Sequence, residues 1–151
     1  MILLCSACGR TQTVIVNTAS LNLRSVITFG ESTYEGIFKS YENGDCEFSF
    51  LVPDSLDGFS LCINEGKLTM NYMGIEHSVP QSDLTESVFL FEITDAFKEI
   101  PNKSAIPFTN ERIIYEGVTN GRAFTIEFDG QGYPSALEVK SLSLVAKFYK
   151  Y

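Results

Sequence analysis

Apolar and polar residues alternate along most of this chain, a pattern typical of β-strands with one buried face. In residues 23–29, Leu23, Ile27 and Phe29 alternate with Arg24 and Thr28. The same pattern predicts nine further strands, over residues 13–16, 34–41, 46–52, 59–63, 67–72, 75–79, 111–118, 123–129 and 137–149. Short segments rich in Gly, Asn and Pro separate them, which indicates antiparallel hairpins.

Two local signals refine this prediction between residues 34 and 53. The dipeptide Asn43-Gly44 predicts a two-residue hairpin turn, because both residues tolerate positive φ. Pro53 lacks a backbone N–H and should therefore end the strand that precedes it.

One segment departs from alternation. Over residues 84–100 the apolar residues follow a mostly helical spacing, which predicts one long helix. Ser82 or Asp83 could cap its start, with Glu86 completing a capping box, and Pro101 should end it. The predicted fold is mainly β (α+β), a curved antiparallel sheet or incomplete β-barrel covered by one main α-helix.

The first nine residues predict a cellular location. The apolar segment 1–4 is followed by Cys5, Ser6, Ala7 and Cys8, which is typical of the end of a bacterial lipoprotein signal peptide. Cleavage after Ala7 would leave Cys8 to carry a diacylglyceryl group. The segment lacks the basic residues and the length of a complete signal, so we expect the true start to lie upstream. The alternative interpretation is the first strand of a cytosolic protein.

These features predict three regions in the chain. We expect a truncated signal peptide over residues 1–7, a tether with the first strand over 8–24, and one half-barrel domain over 25–151. Attachment through Cys8 would place the domain on the extracytoplasmic face of the cell membrane.

The composition of the chain limits the classes of partner that it could bind. The 151 residues include 11 Lys and Arg against 19 Asp and Glu, a net charge of −8. This balance argues against nucleic acid, whose binding depends on basic side chains. Cys46 and Cys62 should lie on opposite faces of the sheet, so two free thiols are expected. Metal-ligand spacing is absent from the sequence, and we expect neither a metal nor a cofactor.

Catalytic motifs are also missing, and we expect that the protein is not an enzyme. Neither a Gly-x-Ser-x-Gly elbow nor a phosphate-binding loop occurs. His77 alternates with Ile75 and Val79 and is interpreted as an edge residue of a strand. Asp54 and Asp57 lie in a predicted turn, where Asp is favoured by local hydrogen bonds.

The order of segments resembles a known superfamily. A strand and an Asn-Gly hairpin precede Phe-x-Phe-x-Val-Pro at 48–53, Ser-Leu-x-Gly at 55–58 and Lys-Leu-Thr-Met-Asn-Tyr-x-Gly-Ile at 67–75. This order is similar to that of LolA/LolB-like lipoprotein carriers, and especially to lipoproteins of that shape from Gram-positive bacteria. The resemblance covers residues 25–149. It implies an incomplete barrel around helices, whose concave apolar interior receives acyl chains.

The apolar stripe of the strands would line that interior. The residues expected to line a hydrophobic ligand site are Phe48, Phe50, Leu61, Met70, Phe91, Phe124 and Phe128. Phe89 and Phe91 of the helix are expected to gate it. A lipid or acyl chain is the expected ligand. The alternative is a structural or protein-interaction module with a filled core, whose protein partner the sequence does not identify. A continuous apolar cavity of several hundred Å³ would distinguish the first function from the second.

Overall fold

The computed structural model describes residues 12–84 and 88–151. The predicted signal peptide, the lipidation site Cys8, most of the predicted tether and Glu86 lie outside these residues. Within them the chain forms twelve strands, whose bounds are β1 (Thr13–Ile15), β2 (Asn22–Phe29), β3 (Ser32–Ser40), β4 (Cys46–Val52), β5 (Phe59–Asn64), β6 (Lys67–Tyr72), β7 (Ile75–Pro80), β8 (Ala105–Thr109), β9 (Arg112–Thr119), β10 (Arg122–Phe128), β11 (Pro134–Val139) and β12 (Leu144–Tyr149). One helix, α1 (Phe89–Lys98), lies between β7 and β8.

All twelve strands belong to one antiparallel sheet in the order β1-β8-β9-β10-β11-β12-β2-β3-β4-β5-β6-β7. Most neighbours in the sheet are consecutive in sequence, and the pairing of β12 with β2 joins the two long meanders. Among the described residues β1 and β7 form the two edges, so the sheet is open. The helix contacts β4, β5 and β9 and so covers the concave face. The predicted fold class is confirmed.

The core fills the space between α1 and the concave face of the sheet. Alternate residues of each strand point into it, as the period of a strand requires. Phe38 pairs with Phe48 and Phe48 with Leu61 across three strands, and all three are buried. From the helix, Leu90, Ile93 and Phe97 complete the packing.

Several hairpins close with two residues that both have positive φ, as a type I′ turn requires. Glu65-Gly66 and Met73-Gly74 connect β5 to β6 and β6 to β7 in this way. Positive φ is unfavourable for Glu and Met, so these two turns carry a local strain.

The Asn-Gly hairpin exists, but its predicted two-residue turn is wrong. Residues 42–44 form a three-residue loop, in which the Gly44 amide donates to the Tyr41 carbonyl at 3.1 Å and the Tyr41 amide to the Asp45 carbonyl at 3.0 Å. Only Gly44 has a positive φ. The Asn43 side chain accepts a hydrogen bond from the Asp45 amide, a local bond that a two-residue turn would not provide.

The helix is shorter than predicted at both ends. Residues 81–83 form a 3-10 turn, Leu84 is extended, and α1 begins after an extended Val88 that provides no side-chain cap. The prediction that Ser82 or Asp83 caps the helix is therefore wrong. Leu84 and Val88 match the helical spacing but are both extended, and their spacing in the sequence does not distinguish the two conformations.

Two further strand predictions need correction. Residues 137–149 are not one strand, because a 3-10 turn at 140–142 and the left-handed Ser143 separate β11 from β12. The turn contains neither Gly nor Pro, although the apolar residues shift from odd positions (Leu137, Val139) to even ones (Leu142, Leu144) across it. The strand β8 was not predicted, since Pro107 lies at its centre and argues against a strand.

Candidate functional site

The residues expected to line a ligand site lie mostly inside the packed core. Phe48 is 0% exposed and Leu61 is 7% exposed. The Phe48 ring lies 4.9 Å from that of Phe50 and 5.4 Å from that of Phe89, measured between centroids. A void that admits solvent would leave accessible surface on its lining side chains. At these positions neighbouring side chains therefore fill the space.

The remaining expected lining residues are distributed over the whole sheet. Phe91, Phe124 and Phe128 are buried, and Met70 is half-buried. Phe124 stacks on Tyr115 with centroids 6.0 Å apart. The structure thus brings Phe48 and Phe50 together but places Phe124 and Phe128 in the other half of the sheet.

Aromatic side chains form a group where α1 begins, which we call the mouth cluster. Its members are Phe29, Tyr34, Phe50, Phe59 and Phe89. Tyr34 stacks on Phe89 at 5.8 Å and meets Phe50 edge-on at 5.5 Å. Phe50 and Phe89 are buried, whereas the other three are half-buried. The cluster therefore extends from the core to the surface.

Of the two expected gate residues, only Phe89 belongs to the mouth cluster. As the first residue of α1, it contacts the rings of Phe29, Tyr34, Phe48 and Phe50.

Beyond the helix, the concave face continues over β5, β6 and β7 as an uncovered apolar surface. We call it the open strip, and its residues are Phe59, Met70, Tyr72 and Ile75. Phe59 pairs with Tyr72, and Tyr72 with Ile75. Exposure rises outward along this row, from a half-buried Phe59 to 41% for Tyr72 and 75% for Ile75. The centroids of Phe59 and Tyr72 are 6.4 Å apart, so the open strip is continuous with the mouth cluster.

A charged pair joins α1 to the β9–β10 hairpin. Nη1 of Arg122 lies 2.8 Å from Oε1 of Glu92. Glu92 is only 5% exposed. Oε2 of Glu92 has no hydrogen-bond partner within the described residues. Burial raises the pKa of Glu92, and nearby Arg122 opposes this effect. A second contact, from Asn120 Nδ2 to Asp95 Oδ2 at 2.9 Å, holds the same hairpin.

Sequence reasoning missed this pair. The available signal was a single carboxylate within the apolar segment 88–93, where a buried charge needs a partner. The partner is thirty residues away, and only the fold brings it close.

A small cleft of about 170 Å³ lies at the other end of α1, with Ser40, Cys46, Thr94 and Lys98 among its lining residues. Burial raises the pKa of the Cys46 thiol to about 11, so it stays protonated at neutral pH and is a poor nucleophile. Cys46 and Cys62 are both free, as predicted. Cys62 pairs with Glu47, next to Cys46, so the two thiols point to opposite faces.

His77 borders the open strip: it is exposed on β7 and pairs with Met70, so its side chain lies on the same face as that of Ile75. Asp54 lies in the 3-10 turn after β4, and Asp57 follows that turn. Among residues 12–84 and 88–151, no group of three or more His, Cys, Asp or Glu residues could hold a metal ion. Within the same residues, no helix has the length and apolar character needed to span a bilayer.

Comparisons with known proteins complete this description. No protein-family model matches the chain, and no curated protein matches it. The chain is similar to a solved structure, the crystal structure of an uncharacterized conserved protein from Thermus thermophilus, with a TM-score of 0.45 and 15% identity. The alignment covers 87% of this chain and 77% of that one. A likeness at this level supports no conclusion about the fold or function of this chain.

Proposed function

We propose that this protein is a lipid-anchored lipoprotein of the cell envelope, on the extracytoplasmic face of the membrane. Its half-barrel would bind a lipid or another hydrophobic ligand, as the resemblance to LolA/LolB-like carriers implies. The observation that carries the proposal is the open strip, an apolar concave surface continuous with the mouth cluster. Apolar residues on the concave side of a sheet are normally covered, whereas Tyr72 and Ile75 are exposed.

The proposed ligand site differs from the set expected from sequence. Phe50 and Met70 remain part of it, whereas Phe48, Leu61, Phe91, Phe124 and Phe128 are buried in the core. An acyl chain lying along Phe59, Tyr72 and Ile75 would bury apolar surface on both partners. Micromolar affinity corresponds to about 8 kcal/mol, which at about 25 cal/mol per Å² requires at least about 330 Å² of apolar surface buried on the two partners together.

The second candidate function is a non-catalytic structural or protein-interaction module. It is favoured by the tight packing around Phe48, since a filled interior leaves no room for an enclosed ligand. In that case the open strip would contact a protein rather than a lipid.

Mass spectrometry of material extracted from the natively purified protein tests the ligand. A co-purifying lipid supports the first function, and a protein free of lipid that also binds no lipophilic fluorescent probe contradicts it. We expect micromolar probe binding to the wild-type domain and at least tenfold weaker binding to Tyr72→Ser. Val118→Ser provides a matched control, because Val118 is an exposed apolar residue on β9, distant in sheet order from the open strip. Equal weakening by both substitutions would rule out the open strip as the site.

The anchor has its own test. Labelled palmitate supplied to the native host should appear on the protein and be absent from a Cys8→Ser variant. Unlabelled wild-type protein would contradict anchoring without affecting the ligand proposal.

A further inference from the structure

The strand β7 forms an exposed edge of the sheet. Within residues 12–84 and 88–151 it pairs with β6 alone, and the order of strands ends at it. Five of its six side chains are exposed, and Val79 is half-buried. One side of its backbone therefore has no strand partner among the described residues.

The turn before β7 determines which backbone groups point outward. The type I′ turn at Met73-Gly74 is closed by the pair Tyr72 and Ile75. In a two-residue hairpin the closing pair exchanges hydrogen bonds, and such pairs then alternate along the ladder. The N–H and C=O groups of Glu76 and Ser78 consequently point away from β6. Pro80 is two residues after Ser78, so its backbone nitrogen also points away from β6. Because proline has no N–H, no hydrogen bond to β6 is lost at this position.

This edge has few of the features that normally prevent strand addition. Exposed edges are usually short, bulged, or carry Lys or internal Pro. The opposite edge strand, β1, has only three residues. In contrast, β7 has six residues, and its pairing with β6 has no register shift. It contains neither Lys nor Arg, and its single Pro is its last residue.

Charge indicates what kind of strand would fit. Glu76 is the one acidic residue of β7, Asp83 lies in the turn that follows, and the whole chain has a net charge of −8. A second copy of this chain would bring two acidic edges together, which is unfavourable. The nearest Lys or Arg in the sequence, Lys67, lies one strand further in, on β6 opposite Pro80. His77, next to Glu76, points to the opposite, concave face.

We propose that β7 binds an extended peptide segment in which basic and apolar side chains alternate. The segment adds as a thirteenth strand, through hydrogen bonds to the outward backbone groups of Glu76 and Ser78. Its basic side chains lie beside Glu76 on the convex face. Its apolar side chains lie on the concave face, beside Ile75, His77 and Val79. This is a protein-binding activity of the outer edge of β7, which shares Ile75 with the proposed ligand site but uses none of its other residues.

An eight-residue peptide of four Lys-Val repeats, acetylated and amidated, is a suitable probe. A peptide of the same composition with four Val followed by four Lys controls for nonspecific charge attraction. We expect fluorescence anisotropy to show at least tenfold tighter binding of the alternating peptide. Hydrogen exchange should show new protection of the Glu76 and Ser78 amides in the complex.

The decisive variants are Ser78→Pro and Ser78→Ala. Proline removes the outward N–H without breaking a bond to β6, whereas alanine removes only the hydroxyl that contacts Thr69. We expect Ser78→Pro to weaken peptide binding at least tenfold and Ser78→Ala less than twofold, while both bind the lipophilic probe as the wild type does. Should the proline variant fail to fold, the exchange measurement on the wild-type protein decides alone.

Three results would overturn the proposal: equal binding of both peptides, equal effects of both variants, or no protection of Glu76 and Ser78. Concentration-dependent dimers with β7 protected would assign the edge to a second copy instead. Loss of lipophilic probe binding by Tyr72→Ser, with peptide binding retained, would leave the two proposals independent.

Discussion

Two regions of the same sheet, β10–β12 and β5–β7, are built from similar sequence patterns but are covered differently. In β10–β12 the concave side chains are buried along each strand, including Ile126, Leu137 and Leu144, each 0% exposed. In β5–β7 burial decreases from strand to strand until Ile75 is mostly exposed. From α1, the ring of Phe97 packs against Phe148 of β12 at 5.8 Å between centroids, whereas among the described residues no aromatic contact joins the helix to β6 or β7. Alternation therefore determines which face a residue occupies, whereas the position of α1 determines whether that face is covered.

The largest expected effect is a difference in the free energy of unfolding between substitutions in the two regions. Phe148 on β12 is buried, with ring centroids 5.5 Å from Phe38 and 5.8 Å from Phe97. Phe148→Ala should lower the free energy of unfolding by about 3–5 kcal/mol, because it leaves a cavity in a packed core. Ile75→Ala should change it by less than about 0.5 kcal/mol, since the side chain is exposed. Urea denaturation of both variants measures the contrast, and similar losses would mean that β7 is covered in solution.

A smaller effect should come from the pair that holds the helix over the covered region. Arg122→Ala leaves the Glu92 carboxylate buried without this cation and should lower the free energy of unfolding by about 1–3 kcal/mol. Arg112→Ala is the matched control, since Arg112 also pairs with a glutamate from β9 to β10, at 2.7 Å, but at an exposed site. In the same urea experiment, Arg112→Ala should lower the free energy of unfolding clearly less than Arg122→Ala does. Equal losses would show that the Glu92 pair does not stabilise the position of the helix.

The same carboxylate predicts a pH dependence. Burial raises the pKa of Glu92 above its ordinary value of 4.5, so the folded state binds a proton more readily than the unfolded chain. Stability should then decrease as the pH rises from about 4.5 through the raised pKa, and level off above it. Subtracting the Glu92→Gln profile of unfolding free energy against pH isolates this contribution. A difference that grows in the opposite direction would mean that Arg122 dominates over burial.

The strands could largely be predicted from sequence because the exposed convex face keeps the alternation visible. The turn at residues 140–143 was missed because it contains neither Gly nor Pro, although the apolar residues shift there from odd to even positions. The start of α1 was missed as well, because its first turn carries no side-chain cap.

The site was harder to predict than the fold, because the burial of a side chain depends on residues that are distant in the sequence. Phe48 and Tyr72 follow similar patterns in the sequence, yet one is enclosed by aromatic rings and the other is exposed. Whether a concave side chain is covered depends on where the segment between β7 and β8 packs, which the local pattern does not determine. The Glu92–Arg122 pair likewise joins residues that are distant in the sequence.

The smallest expected effect concerns the hairpin tip beside the open strip. Met73 has a φ of 51° and is 80% exposed, so a long apolar side chain occupies a left-handed turn position without packing. Asn tolerates this conformation far better, and Met73→Asn should raise the free energy of unfolding by about 0.5–1 kcal/mol. Glu65→Asn, at the equivalent position of the β5–β6 turn with a φ of 49°, should give a similar gain in urea denaturation. If Met73→Asn weakens probe or peptide binding while Glu65→Asn does not, the strained methionine contributes to recognition. If both variants bind normally, the recognition surfaces end at Tyr72 and Ile75, and Met73 is only a poor turn residue.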